Sequence, residues 1–225
     1  MHDNIVQGKI KTLFLDIGGV LLTNGWGHES RYKAIEKFGL DKDEVEERHQ
    51  ISFDTYEIDK ITFDDYLNEV IFYKERPFSK ETFKAFMFQQ SQALDGCIDF
   101  FKELKQQQHL KAIAVSNEGR ELNEYRINKF KLDQLFDAYI SSCYVRLHKP
   151  DKSMLQMACD VSHTLPANAL YVDDRLLLVE VAASVGLQTL HFQGLAAAKE
   201  FIRTCKFHKQ QVKFIKCQHK TTIME

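Results

Sequence analysis

Apolar residues gather in five short runs along the chain. The stretches 10–16 (IKTLFLD), 111–116 (KAIAVS), 136–142 (FDAYISS), 169–174 (ALYVDD) and 187–192 (LQTLHF) are each too short for a helix. Near-continuous apolarity over so few residues predicts strands buried on both faces, as in a parallel sheet. The segments after the later runs have helix length, at 118–130, 151–161 and 175–186, the last closing on Gly186 as a helix C-cap does. Strand alternating with helix predicts an α/β doubly wound parallel sheet.

Residues 23–92 break that rhythm. They hold at least three helical patterns and no strand, among them ITFDDYLNEVIFY, where Thr62 and Asp65 open like a capping box, and SKETFKAFMFQQ. The prediction is an inserted all-helical domain at 23–92 within a core made of 1–22 and 93–225. Phe53, Phe63, Phe72, Phe78, Phe83, Phe86 and Phe88 are read as packing this small bundle, the alternative being that a few line a pocket. Four of the ten glycines fall between 18 and 27, where the chain leaves the sheet, and suit a tight loop or hinge.

Composition narrows the classes. With 30 basic and 32 acidic residues in 225, no charge surplus draws the chain to nucleic acid or an anionic membrane. Five cysteines without a CxxC spacing fit reduced thiols. The apolar run 13–22 is half a bilayer span, and the N-terminal residues lack the apolar core of a signal peptide. A cytoplasmic protein with no nucleic-acid or membrane partner is expected; nothing indicates its oligomeric state. The tail 205–225 carries lysines at 206, 209, 213, 216 and 220, stepping by three or four along one side of any helix there.

The strand ends carry the chemistry, because ligands of an open parallel sheet bind beyond the carboxyl ends of its strands. The first strand ends at Asp16, the second at Ser116-Asn117 and the fourth at Asp173-Asp174, while the third runs on to Lys149. Such a set suits phosphoryl transfer. Asp16 can attack phosphorus, Asp16 and Asp174 can supply the one or two carboxylates that magnesium takes, and Lys149 can offset phosphoryl charge. The Ser116 hydroxyl and the Asn117 backbone N–H can donate to phosphoryl oxygens. Glu118, Arg120 and Arg146 are read equally as helix-surface charges or ligands.

These motifs resemble those of the haloacid dehalogenase superfamily: LFLDIGGVLL its first, AVSN its second, the Lys149-Pro150 pair its third and LYVDD its fourth. The resemblance spans 8–22 and 93–204, and the helical insert lies where that superfamily places its type 1 cap on a Rossmann-like core. It implies Asp16 as nucleophile, Ser116 and Asn117 as phosphate binders and Lys149 as neutralising base. It further implies magnesium held by Asp16, the Gly18 carbonyl and Asp174, supported by Asp173, with a small-molecule phosphate ester as substrate.

One position departs from the pattern. Phosphatases of the superfamily usually carry an acid/base aspartate two residues after the nucleophile, where this chain has Gly18. Loss of such a group costs about 10²–10⁴ in rate. The subgroup resembled includes bacterial sugar-phosphate phosphatases, among them alpha-D-glucose-1-phosphate phosphatase, some with glycine here. His28 is a candidate replacement donor, with Trp26 and Arg31 as substrate contacts. Two other readings stand beside the phosphatase: a 2-haloacid dehalogenase, against which the Asp173-Asp174 pair argues, and a binding or regulatory protein that kept the fold without the acid.

Overall fold

The structure is a computed structural model that describes residues 8–208. The basic tail from 209 onward lies outside the described residues. Five strands form one parallel sheet: β1 (Thr12–Leu15), β2 (Lys111–Ser116), β3 (Ala138–Ser141), β4 (Ala169–Asp173) and β5 (Gln188–His191), in the order β3-β2-β1-β4-β5. β1 is central. Leu15 pairs with Ala114 on one side and with Val172 on the other.

Alternation along β1 builds two apolar layers. Leu13 and Leu15 join Ala112, Ala114, Leu170 and Val172 on the face covered by Phe101 and Leu104 of α5 (Cys97–Gln108). Phe14 points the other way with Ile113, Val115 and Tyr171, against α8 (Lys152–Ser162) and α9 (Leu176–Ser184). The remaining core helices are α6 (Arg120–Phe130), α7 (Ser142–Val145) and α10 (Leu195–Thr204). Among the described residues no helix is long and apolar enough to cross a membrane.

Between β1 and α5 stand four helices: α1 (His28–Phe38), α2 (Lys42–Glu57), α3 (Phe63–Val70) and α4 (Lys80–Gln89). The Thr62–Asp65 pair forms the expected capping box, and Ser79 caps α4. The phenylalanines pack as expected. Phe63, Phe83 and Phe86 are buried in a cluster of their own with Phe53, Phe72, Phe78 and Phe88 around it. The cluster reaches the core through Leu122 of α6 and through the Phe88 ring stacked on Tyr125 at 4.7 Å. The segments entering and leaving the bundle run antiparallel, with Thr23 N–H donating to the Gln92 carbonyl at 2.8 Å.

A buried polar chain crosses this bundle. Trp26 Nε1 donates to the Tyr66 hydroxyl at 2.8 Å, and the same hydroxyl is hydrogen-bonded to His49 Nδ1, also 2.8 Å away. The ring is neutral at neutral pH. Burial, reinforced by Arg31, lowers the His49 pKa from 6.5 to about 3. The unfolded chain thus binds the extra proton first, and stability is lost as pH falls from 6.5 toward 3. His49→Asn keeps an acceptor without the titration. Its thermal midpoint should decline less with acid than that of the wild type across this window; parallel declines would refute the neutral ring.

Candidate active site

Parallel strands bring their C-terminal ends to one edge, and Asp16, Ser116 and Asp173 meet there. Lys149 joins them from the loop after α7. Its Nζ lies 3.0 Å from Asp16 Oδ2 and 2.7 Å from Asp173 Oδ2. All four residues are buried. The Asn117 side chain holds Lys149 in place by a reciprocal pair. Its Nδ2 donates to the Lys149 carbonyl at 3.0 Å, and its Oδ1 accepts from the Lys149 N–H at 2.8 Å. That amide is a positioning device for the lysine, while the Ser116 hydroxyl faces Asp16 and donates to Glu118 Oε1 at 3.4 Å.

The three carboxylates are not equivalent. Burial opposes charge on Asp173, yet Lys149, the Tyr171 hydroxyl at 2.6 Å and the Arg175 N–H at 2.9 Å hold it below the usual carboxylate range. Asp16 is pushed up by burial and by Asp173, with Lys149 opposing. Asp174 is also raised, by burial and then by Asp173. Its Oδ1 is buried without a hydrogen-bond partner among the described residues.

Each of Asp16, Asp173 and Asp174 offers an oxygen within 4.8 Å of the others. Both oxygens of Asp173 are engaged, and those of Asp16 face the Ile17 N–H at 2.8 Å and Lys149 at 3.0 Å; the open oxygens beside Asp16 are Asp174 Oδ1 and the Gly18 carbonyl, which accepts no backbone hydrogen bond from the described residues. Gly19, at φ +72, makes the approach possible, because a Cβ there would strike the Asp174 carboxylate. An oxygen-only donor set with one orphaned carboxylate oxygen fits a hard cation such as magnesium.

The helical side closes a cleft of about 900 Å³ over these groups, and Trp26, His28 and Arg31 all line it. Their polar atoms are largely engaged within the bundle. Arg31 grips Glu46 with two N–H groups at 2.7 and 2.8 Å and donates to the Trp26 carbonyl at 3.1 Å. Exposed His28 turns Nδ1 to Arg31 Nη2 at 2.9 Å. Sequence reasoning passed over two other lining residues, Glu57 and Arg175. Arg175 looked like a helix start, yet its Nη2 lies 3.9 Å from Asp16 Oδ2. Its place right after the acidic pair was the only available signal.

A family model described as haloacid dehalogenase-like hydrolase matches residues 23–192. The chain belongs to this family. The match starts after Asp16, so the role of that residue in this haloacid dehalogenase-like (HAD) hydrolase stands on geometry. None of the curated proteins matches the sequence. Among solved structures, a HAD family enzyme of Bacteroides thetaiotaomicron in complex with magnesium and inorganic phosphate is 20% identical, with 80% of this chain and 93% of that one covered at a TM-score of 0.69. A predicted HAD-like family hydrolase of Porphyromonas gingivalis is 18% identical over 87% of this chain and 99% of that one, at 0.67. L-2-haloacid dehalogenase of Xanthobacter autotrophicus is 19% identical over 87% and 83%, at 0.59. At such identities the likeness is one of fold.

Proposed function

We propose that this HAD-like hydrolase is a magnesium-dependent phosphatase that hydrolyses a small phosphorylated metabolite, a sugar phosphate being the class we favour, through an aspartyl-phosphate on Asp16. The observation that carries the reading is the orphaned, buried Asp174 Oδ1 beside Asp16. A dehalogenase has no use for a buried carboxylate oxygen held without a partner, whereas a metal-dependent phosphatase does. The magnesium and phosphate complex of the Bacteroides thetaiotaomicron enzyme supports the same choice.

In this reading Asp16 and Asp174, with the Gly18 carbonyl, hold magnesium, which when bound supplies positive charge to the phosphoryl oxygens and to Asp16. Asp16 is oriented for attack by the Ile17 N–H, which donates to its Oδ1 at 2.8 Å and leaves Oδ2 toward the cleft. Lys149, steadied by Asp173 and Asn117, balances charge on the transferring group. Ser116 Oγ and the Asn117 backbone N–H donate to its oxygens. Residues 23–92 act as the cap that selects the leaving group, with Trp26, His28 and Arg31 on its wall.

Phosphate release from a panel of sugar phosphates, with and without magnesium, tests the proposal. Magnesium-dependent turnover is expected. Chloride release from 2-haloacids in the absence of metal would instead favour a dehalogenase, and silence on both panels a binding protein. Asp174→Asn should weaken magnesium binding by about 10-fold or more, since it removes one of the two carboxylates assigned to the ion. Titration calorimetry on the variant reads this directly, and an unchanged affinity would move the ion elsewhere.

A further inference from the structure

The cleft lacks an acid at the usual place, and the helical side carries a carboxyl with no evident structural job. Glu57 is the last residue of α2 and lines the same cleft as Asp16, Gly18, Ser116 and Arg175. It is half-buried and takes no hydrogen bond or ion pair with any described residue. Its neighbours, by contrast, bolt the end of α2 to the phosphate-binding loop. The Tyr56 ring fills the space over Gly119, where a Cβ would collide with it, and its hydroxyl donates to Glu121 at 3.1 Å. Asp59 accepts two N–H groups of Arg120 at 2.8 Å each, and Arg120 reaches on to the Cys143 carbonyl at 3.1 Å. A free carboxyl is thus held between two fixed points on the wall of the cleft that Asp16 also lines.

We propose that Glu57, presented by the cap, is the general acid and base of this site and does the work for which Gly18 offers no side chain; the inference rests on the phosphatase reading above. Its surroundings favour the protonated form. It sits at the C-terminal end of a helix whose last turn holds no basic residue, where the helix dipole disfavours negative charge. Burial, then Glu118 and Asp54, push its pKa to about 8 against the opposing Arg175 and Lys149. A carboxyl protonated at neutral pH can give a proton away.

The proton inventory closes. Asp16 Oδ2 forms a bond to phosphorus as the bond from phosphorus to the leaving oxygen breaks, and that oxygen keeps the electron pair and takes the Glu57 proton. Water then attacks phosphorus, Glu57 carboxylate accepts its proton, and the bond from phosphorus to Asp16 breaks, restoring both carboxyl groups.

The test compares Glu57→Gln, Glu57→Asp and His28→Ala with the wild type on two substrates: an alkyl phosphate, whose leaving oxygen needs a proton, and p-nitrophenyl phosphate, whose leaving oxygen does not. For Glu57→Gln the single-turnover rate on the alkyl ester should fall about 10²–10⁴-fold, and on the nitrophenyl ester less than about 10-fold. The nitrophenyl ester should then give a burst of one nitrophenolate per site before a slow steady state, because water attack lacks its base. Glu57→Asp should retain part of the alkyl rate, and magnesium affinity by calorimetry should not change. In the wild type, kcat/KM on the alkyl ester should drop above pH of about 8, a limb that Glu57→Gln lacks. Equal losses on both esters, or none, would overturn the assignment, and a leaving-group-dependent loss in His28→Ala alone would transfer it to His28. A wild type inactive on both esters would remove the phosphatase reading itself, and the role of Glu57 with it.

Discussion

Asp16→Asn is expected to lower turnover of every phosphate ester the protein accepts by about 10⁴-fold or more, since an amide cannot form the covalent intermediate. The same substitution should raise the stability of the metal-free protein. Asp16 is buried beside Asp173, and its pKa is raised in the folded state. A raised carboxyl pKa means that the contribution of the group to stability is complete below the unfolded value and is lost as pH rises through the folded one. As pH rises above the unfolded value the protein therefore gives up stability at this group that Asn, which does not titrate, keeps. Little structure goes with the carboxylate, because Asn retains an Oδ1 acceptor for the Ile17 N–H and Lys149 keeps Asp173 at 2.7 Å. Thermal melts at pH 7.5 in chelator should show the variant ahead by about 2–4 °C for each kcal/mol regained. The gap should close in acid, and added magnesium should stabilise the wild type more than the variant. Residual turnover near that of the wild type would sink the nucleophile; a lower melting temperature for Asn would sink the account of Asp16 as stored electrostatic cost.

Much of this arrangement was legible in sequence because it depends on local patterns. Five apolar runs became five parallel strands within about two residues of the expected ends. Thr62 and Asp65 capped α3, and the residues at the strand ends converged because parallel strands share a direction. What could not be read was long-range. Helix α5 precedes β2 without a distinctive start, since its N-cap is Gly96 and makes no side-chain cap bond. Asn117 was expected to serve phosphate; its backbone N–H still can, but its side chain is spent on Lys149 across 32 positions of sequence. Trp26 and Arg31 looked free for substrate because their partners, Tyr66 and Glu46, lie on other helices of the bundle. Nothing in the sequence singles out Glu57, the last residue of α2. The docking of Tyr56 on Gly119 and of Asp59 on Arg120 fixes the helix end that carries it on the wall of the cleft. Pairings of this kind leave no periodicity to find.

Arg126→Met is the substitution expected to cost the fold most, about 3–5 kcal/mol, the range for removing one partner of a buried ion pair. Arg126 is 1% exposed, and each part of its guanidinium has a different customer. Nη1 pairs with buried Glu118, Nε donates to Ser91 Oγ at 3.0 Å and Nη2 donates to the Thr23 carbonyl at 3.1 Å. Thr23 and Ser91 belong to the two segments that join the helical bundle to the core, so one side chain ties both crossings to α6. Gly25, at φ +56, keeps clear the space the guanidinium needs, and any Cβ there would collide with it. Met fills similar volume but satisfies none of these groups. Glu118, whose pKa burial already raises against the pull of Arg126, would lose its one ion-pair partner among the described residues and keep the Ser116 hydroxyl at 3.4 Å. A loss of this size is a large fraction of a typical total of about 5–15 kcal/mol. It should appear as a melting temperature lower by about 6–20 °C for a domain of this length. Adding Glu118→Gln separates the two causes. If the stranded charge dominates, the double variant should recover most of the stability, and the cycle should show a coupling of about 1–3 kcal/mol. Even so, the crossings would stay untied, and the double variant should keep a raised KM because the helical bundle is no longer held in one register over Asp16. Additive losses in the cycle would show that Arg126 acts through Thr23 and Ser91 alone. A wild-type KM in the recovered variant would show that the linkers hold the helical bundle without it.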